Sequence, residues 1–168
     1  MTGAASSLLL LGAEAVLTAI DGSPRRIDMA ACKTTVVVFA STVCPVAGDY
    51  YHRIAGLWSQ FGRRPGVGFW VVYPNKTESL DDIRRHAAEM KFPFPVYRDD
   101  NNVLADVLAA QVTPTAVVRV ARGNTLFRGP IDDAANPARV KPRYLHDAIR
   151  ASLAGRKPKA GPPGQPYG

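Results

Sequence analysis

Apolar positions along the chain follow two periods, and the order in which they alternate predicts an α/β domain. Val16, Leu17 and Ile20, then Asp21-Gly22, then Ile27, read as a hairpin over Ala15–Ile27, because Asp-Gly is a tight-turn dipeptide. Thr34 to Ala40 (TTVVVFA) and Val67 to Tyr73 (VGFWVVY) carry no charge and are rich in β-branched and aromatic residues. Such runs mark strands covered on both faces. Between them, Ile54, Leu57, Trp58 and Phe61 recur at helical spacing and predict a helix from about Pro45 to Phe61. Ser79 to Met90 predicts a second helix with Leu80, Ile83, Ala87 and Met90 on one face. Its opening, Ser79 with Asp82 three residues on, has the form of a capping box with Asp in place of Glu. Phe94 to Arg98 reads as a short strand, and Asn101 or Asn102 as the cap of a helix through Ala110. Thr115–Val120 and Thr125–Phe127, joined by Arg122-Gly123-Asn124, predict an antiparallel hairpin, and Arg143–Leu153 a last helix. Strands alternating with helices imply parallel crossovers, and the late hairpin adds antiparallel strands, so the expected sheet is mixed.

The ends differ from this body. Leu8 to Leu11 is a short apolar run that reads as a first strand or helix. No Lys or Arg precedes Arg25, so residues 1–13 lack the basic region of a secretory signal. Arg156 to Gly168 (RKPKAGPPGQPYG) is broken by prolines and glycines and reads as an extended tail or linker. The expected division is an N-terminal segment 1–13, a domain 14–155 and a basic tail 156–168.

Length and charge narrow the classes. A chain of 168 residues, 46% hydrophobic and 21% charged, suits one domain with a full core and is unlike a disordered chain. No apolar run reaches the roughly 18 residues that span a bilayer, so no membrane partner is expected. The net charge of +7 suggests an acidic partner until it is located. Residues 1–135 hold 14 basic and 13 acidic side chains; residues 136–168 hold seven basic against Asp147 alone. The charge therefore belongs to the last helix and tail. No aromatic RNA-binding pattern or zinc finger accompanies it, so no nucleic-acid partner is expected.

Only two cysteines occur, Cys32 and Cys44. That excludes a disulfide scaffold and a four-cysteine zinc site, and leaves room for one reactive thiol. Cys44 stands where a strand ends and a helix begins, in Phe39-Ala40-Ser41-Thr42-Val43-Cys44-Pro45. Pro45 suits a first helical turn, and the free amides there favour an anion, hence a thiolate nucleophile. The alternative is a small buried hydrophobe. Pro114, in Val112-Thr113-Pro114-Thr115, cannot donate to a ladder and so belongs at a strand start. A cis bond there would bring the Thr113 backbone beside Cys44. Cys32 and Cys44 flank the strand Thr34–Ala40, about 20 Å long, whereas a disulfide needs Cα atoms within about 7 Å. They are not expected to pair, and Cys32 reads as inert.

Together VVVFASTVCP, GVGFWVVYPN, DDNNVLADVLAAQVTPTAVV and the terminal helix resemble the thioredoxin-like superfamily, in its redoxin branch of peroxiredoxins and exported thiol–disulfide oxidoreductases. The resemblance covers roughly residues 14–155. It implies a three-layer α/β fold, Cys44 as the attacking cysteine, and Pro114 as a cis-proline shaping a substrate groove with Pro45 and Thr113. Ser41 or Thr42 would hydrogen-bond the thiolate. A closer likeness is to bacterial redoxin domains with one cysteine in a CP-x-x-x-x-Y context, here Cys44-Pro45 with Tyr50, and a Gly-x-Ile-Asp-Asp segment, here Gly129 to Asp133. In that group the tail often reaches a further cysteine, and some members continue into a haem or copper domain, so a fused or docked haem or copper partner is implied. The group also implies export to the periplasm.

The departures limit the chemistry. Ala47 stands where a CxxC motif needs its second cysteine, so a thioredoxin-type dithiol cycle is excluded. Val37 and Ser41 stand where the peroxiredoxin signature has Pro and Thr, which weakens peroxide reduction. Turnover would need an external thiol reductant or a partner disulfide protein. His52, His86 and His146 read as ordinary polar helix positions, and Asp132 and Asp133 as caps for the next segment. No H-x-x-x-H or C-x-x-C spacing and no phosphate-binding glycine loop occurs, so no metal or cofactor is expected. The leading expectation is an antioxidant-type thiol oxidoreductase working through Cys44 on a disulfide or peroxide. The alternative is a non-catalytic binding module docking a redox or metal partner.

Overall fold

The computed structural model describes residues 14–121 and 123–159. The Leu8–Leu11 run, Arg122 of the predicted turn, and most of the basic tail lie outside the described residues.

The alternating apolar pattern becomes a seven-stranded mixed sheet in the order β2-β1-β5-β4-β3-β6-β7. Its strands are β1 (Glu14–Ala19), β2 (Pro24–Asp28), β3 (Thr34–Phe39), β4 (Val67–Tyr73), β5 (Val96–Arg98), β6 (Thr115–Val120) and β7 (Thr125–Gly129). β3 runs parallel to β4, and β4 to β5. β6 returns antiparallel against β3 and β7 against β6, while β1–β2 is the predicted hairpin. All six residues of β3 are buried, which is why that stretch carries no charge.

Successive side chains of a strand point to opposite faces, and β3 shows it. Val36 and Val38 join Val71, Tyr73 and Val118 under three helices: α2 (Tyr51–Leu57), α3 (Leu80–Glu89) and α5 (Tyr144–Leu153). Val37 and Phe39 join Val72, Val117, Leu17 and Ile27 under α4 (Val103–Val107). The sheet is thus the middle of three layers.

Three predicted elements differ in detail. The helix expected over Pro45–Phe61 is divided into α1 (Pro45–Gly48), α2, and a π-helical turn at Trp58–Gly62. The Tyr50 amide bonds back three residues to the Ala47 carbonyl, at 3.0 Å, and ends the first piece. β5 begins at Val96 rather than Phe94, because Pro93 and Pro95 can donate no ladder hydrogen bond. Neither Asn101 nor Asn102 caps α4 with its side chain; both adopt left-handed backbone. The cap is Asp99, buried, whose carboxylate accepts the amides of Leu104 (3.0 Å) and Ala105 (2.8 Å). Burial pushes the Asp99 carboxyl up, and those two amides oppose the shift. The predicted capping box of α3 is formed in both directions by Ser79 and Asp82.

Candidate functional site

The antiparallel pairing of β3 with β6 sets Phe39 opposite Thr115. The segment leaving β3 therefore meets the segment entering β6, and residues about 70 apart in sequence become neighbours. Cys44 leads this junction as the residue before α1, with extended backbone (φ −84°, ψ 109°) and Pro45 in the first helical turn. Its half-buried thiol donates to the Thr113 carbonyl at 3.3 Å. The Thr113–Pro114 peptide is cis. Cys44, Pro45, Thr113 and Pro114 are thus brought to one end of the sheet, with Val43 exposed beside the sulfur. A cleft of about 250 Å³ opens on the other side of Thr113, walled by Ser41, Asn75, Asn102, Gln111 and Thr113; Cys44 does not line it. A larger cavity of about 410 Å³, between Arg53, Leu57, Ile131 and His146, contains none of the residues the sequence singles out for catalysis.

Because α1 has only four residues, the long helix dipole anticipated behind Cys44 is reduced to one turn, and the Ala47 amide in it is already bonded to the Cys44 carbonyl (3.1 Å). Ser41 and Thr42 also have other partners. Ser41 is buried and its hydroxyl donates to Glu78 Oε1. The Thr42 amide donates to the same oxygen at 2.8 Å. The Val43 amide donates to Ser41 Oγ at 3.3 Å. The two hydroxyl residues shape the turn that presents Cys44, and the Ser41 hydroxyl is held by Glu78.

Behind that turn stands a polar cluster that sequence reasoning missed. The Tyr51 hydroxyl donates to the Ser41 carbonyl at 3.0 Å and is hydrogen-bonded to Tyr73. The Tyr73 hydroxyl lies 3.3 Å from His86 Nδ1, and the His86 ring packs edge-on against Tyr51 at 5.1 Å. Burial pushes the Tyr51 phenol up to about 12, and Tyr73 up as well, so both are neutral donors. Burial lowers His86, against the opposing pull of Glu78 and Glu89. His86 is therefore not an ordinary surface residue. Nor is His146, whose ring sits 5.6 Å from Phe61 with Nδ1 on Asp147 at 3.0 Å. His52 is exposed. No single residue of the cluster carries a motif; the only sequence signal was two tyrosines and a histidine on elements that converge on one strand end.

Cys32 lies at the other end of β3 from Cys44, and both thiols are free. Burial pushes the Cys32 thiol up. Asp132 accepts the Ala134 amide at 3.2 Å and Asp133 the Lys141 amide at 3.0 Å, and Asp132 also pairs with Arg53. Among the described residues no group of three or more His, Cys, Asp or Glu could hold a metal ion, and no helix is long and apolar enough to cross a membrane.

No protein-family model matches the chain, and no curated protein matches it. Solved structures do. The chain is similar to an uncharacterized conserved protein from Geobacillus kaustophilus, with a TM-score of 0.76 and 24% identity over 92% of this chain and 85% of that one. It is also similar to a thiol:disulfide interchange protein of the thioredoxin family from Chlorobium tepidum (TM-score 0.64, 19% identity, 84% and 94% covered). A third likeness is to a secreted disulfide oxidoreductase of Mycobacterium tuberculosis (TM-score 0.59, 17% identity, 86% and 96% covered). These likenesses show the fold, which is thioredoxin-like.

Proposed function

We propose that this thioredoxin-like chain is a thiol-dependent oxidoreductase that works through one cysteine, Cys44. The observation that carries the reading is the juxtaposition of the half-buried Cys44 thiol with the carbonyl of Thr113, 3.3 Å away. A thiolate at that position can attack a disulfide R–S–S–R′. The Cys44–S bond forms, the R–R′ sulfur–sulfur bond breaks, and R′S⁻ leaves with the electron pair and takes a proton. Cys32, at the far end of β3, is too distant to resolve the mixed disulfide, so an external thiol must release it. The solved relatives named for disulfide oxidoreduction or interchange support a partner thiol or disulfide protein as the reactant.

The test is a reaction with a small aromatic disulfide, followed by release with added thiol, and in parallel with hydrogen peroxide. The mixed disulfide should form at Cys44 and disappear on adding thiol. Formation at Cys32 instead, or none at all with either substrate, overturns the reading. Reaction with peroxide alone would move the substrate from disulfides to peroxides.

A further inference from the structure

Glu78 has no part in the exchange just described, yet it is a buried acid at this end of the sheet. It is 3% exposed. Its Oε1 accepts from both the Ser41 hydroxyl and the Thr42 amide. Its Oε2 is buried without a described hydrogen-bond partner. Among the described residues it joins no ion pair. A buried carboxylate without a cation is unfavourable, and a buried acceptor without a donor adds to that. An apolar side chain would fill the space at lower cost but could not receive the two donors of the turn before Cys44. The titratable groups near it are Tyr51 from α2, Tyr73 from β4 and His86 from α3 with Glu89 beyond it, and Cys44 acts on the same Tyr51. No Lys or Arg is among them.

We propose that Glu78 is a positioning residue for Cys44: its buried carboxylate fixes the Ser41–Val43 turn that presents the sulfur, and its charge links the thiol to the half-exposed His86 ring across Tyr51 and Tyr73. The inference rests on the reading of Cys44 as the nucleophile. A carboxylate near a forming thiolate opposes its ionisation, because like charges in a poorly solvated site repel. The same carboxylate favours the protonated ring of His86. Neutralising Glu78 therefore moves both titrations to lower pH.

The decisive comparison is Glu78→Gln, whose amide oxygen can still accept from Ser41 and Thr42 while the charge is gone. In a Cys32→Ser background, the rate of Cys44 alkylation by iodoacetamide is followed against pH, and the His86 ring by NMR. The alkylation midpoint is expected to fall, and the His86 midpoint to fall with it. A purely structural Glu78 would leave both midpoints where they are, and either one unmoved overturns the inference. The unsubstituted Glu78 protein in the same background separates the two claims: a thiol that iodoacetamide does not modify at any pH contradicts the reading of Cys44, while the His86 comparison still judges Glu78. If Glu78→Gln does not fold, the native chain labelled with ¹³C at its glutamate carboxyls decides the same question. The Glu78 signal should inflect at the alkylation midpoint and lose that inflection once Cys44 is alkylated; no inflection overturns the proposal.

Discussion

Replacing Arg53 by methionine tests how the loop after β7 is held against the helices that carry the site. Arg53 Nη1 donates to both Asp132 oxygens, at 2.6 and 2.5 Å, and to the Ala134 carbonyl at 2.7 Å. Its Nη2 donates to the carbonyls of Asp49 (2.9 Å) and Ala135 (2.7 Å), and its guanidinium lies 4.0 Å from the Tyr50 ring centre. The side chains are 17% and 4% exposed, so this is a buried pair and not a solvated one. Removing the cation leaves the Asp132 carboxylate buried without its partner, which costs about 3–5 kcal/mol. At roughly 2–4 °C per kcal/mol for a chain of this size, the midpoint of thermal unfolding should fall by about 6–20 °C. The assay is a thermal melt by far-UV circular dichroism, repeated for Asp132→Asn and for the double variant. The double variant should be more stable than the sum of the two single losses implies, because the stranded charge is then gone. A loss within about 0.5 kcal/mol for Arg53→Met, the range of an ordinary surface change, would refute the reasoning.

Other consequences follow from the same contacts. Hydrogen bonds from Ser79, its side chain first and then its amide, hold the Asp82 carboxyl below its ordinary value. A depressed carboxyl stabilises the fold above its unfolded value and loses that contribution as pH falls through the folded one. Melts below about pH 4 should therefore show a shallower acid decline in Ser79→Ala than in the native chain, and equal declines would contradict the cap. Gly68→Ala should destabilise by about 1–3 kcal/mol in urea titration, because the added carbon would meet the Trp70 ring at 2.1 Å and Cys32 Sγ at 2.8 Å; an unchanged midpoint would show that Trp70 can move aside.

The strands were legible in sequence wherever burial excludes charged residues, as in β3 and β4, and α3 was legible because Ser79 and Asp82 cap it locally. The break at Tyr50 was not, since the apolar stripe begins only at Ile54, beyond it, and the π-helical turn at Trp58–Gly62 was not, since the stripe runs through it to Phe61. Cys44 could be singled out from its place between a strand and a proline. Glu78 could not: an acid just before Ser79 reads as an ordinary residue of a helix start, and its burial depends on Ser41, 37 residues away. His86 misled for the same reason, because its partners Tyr51 and Tyr73 come from two other elements.

The central claim is that Cys44 alone carries the chemistry. The most direct measurement is the rate of mixed-disulfide formation with an aromatic disulfide, compared in Cys44→Ser and Cys32→Ser. The account predicts loss of the reaction in Cys44→Ser and an unchanged rate in Cys32→Ser, whose thiol is half-buried and pushed up by that burial. A reaction that persists in Cys44→Ser and vanishes in Cys32→Ser would contradict it.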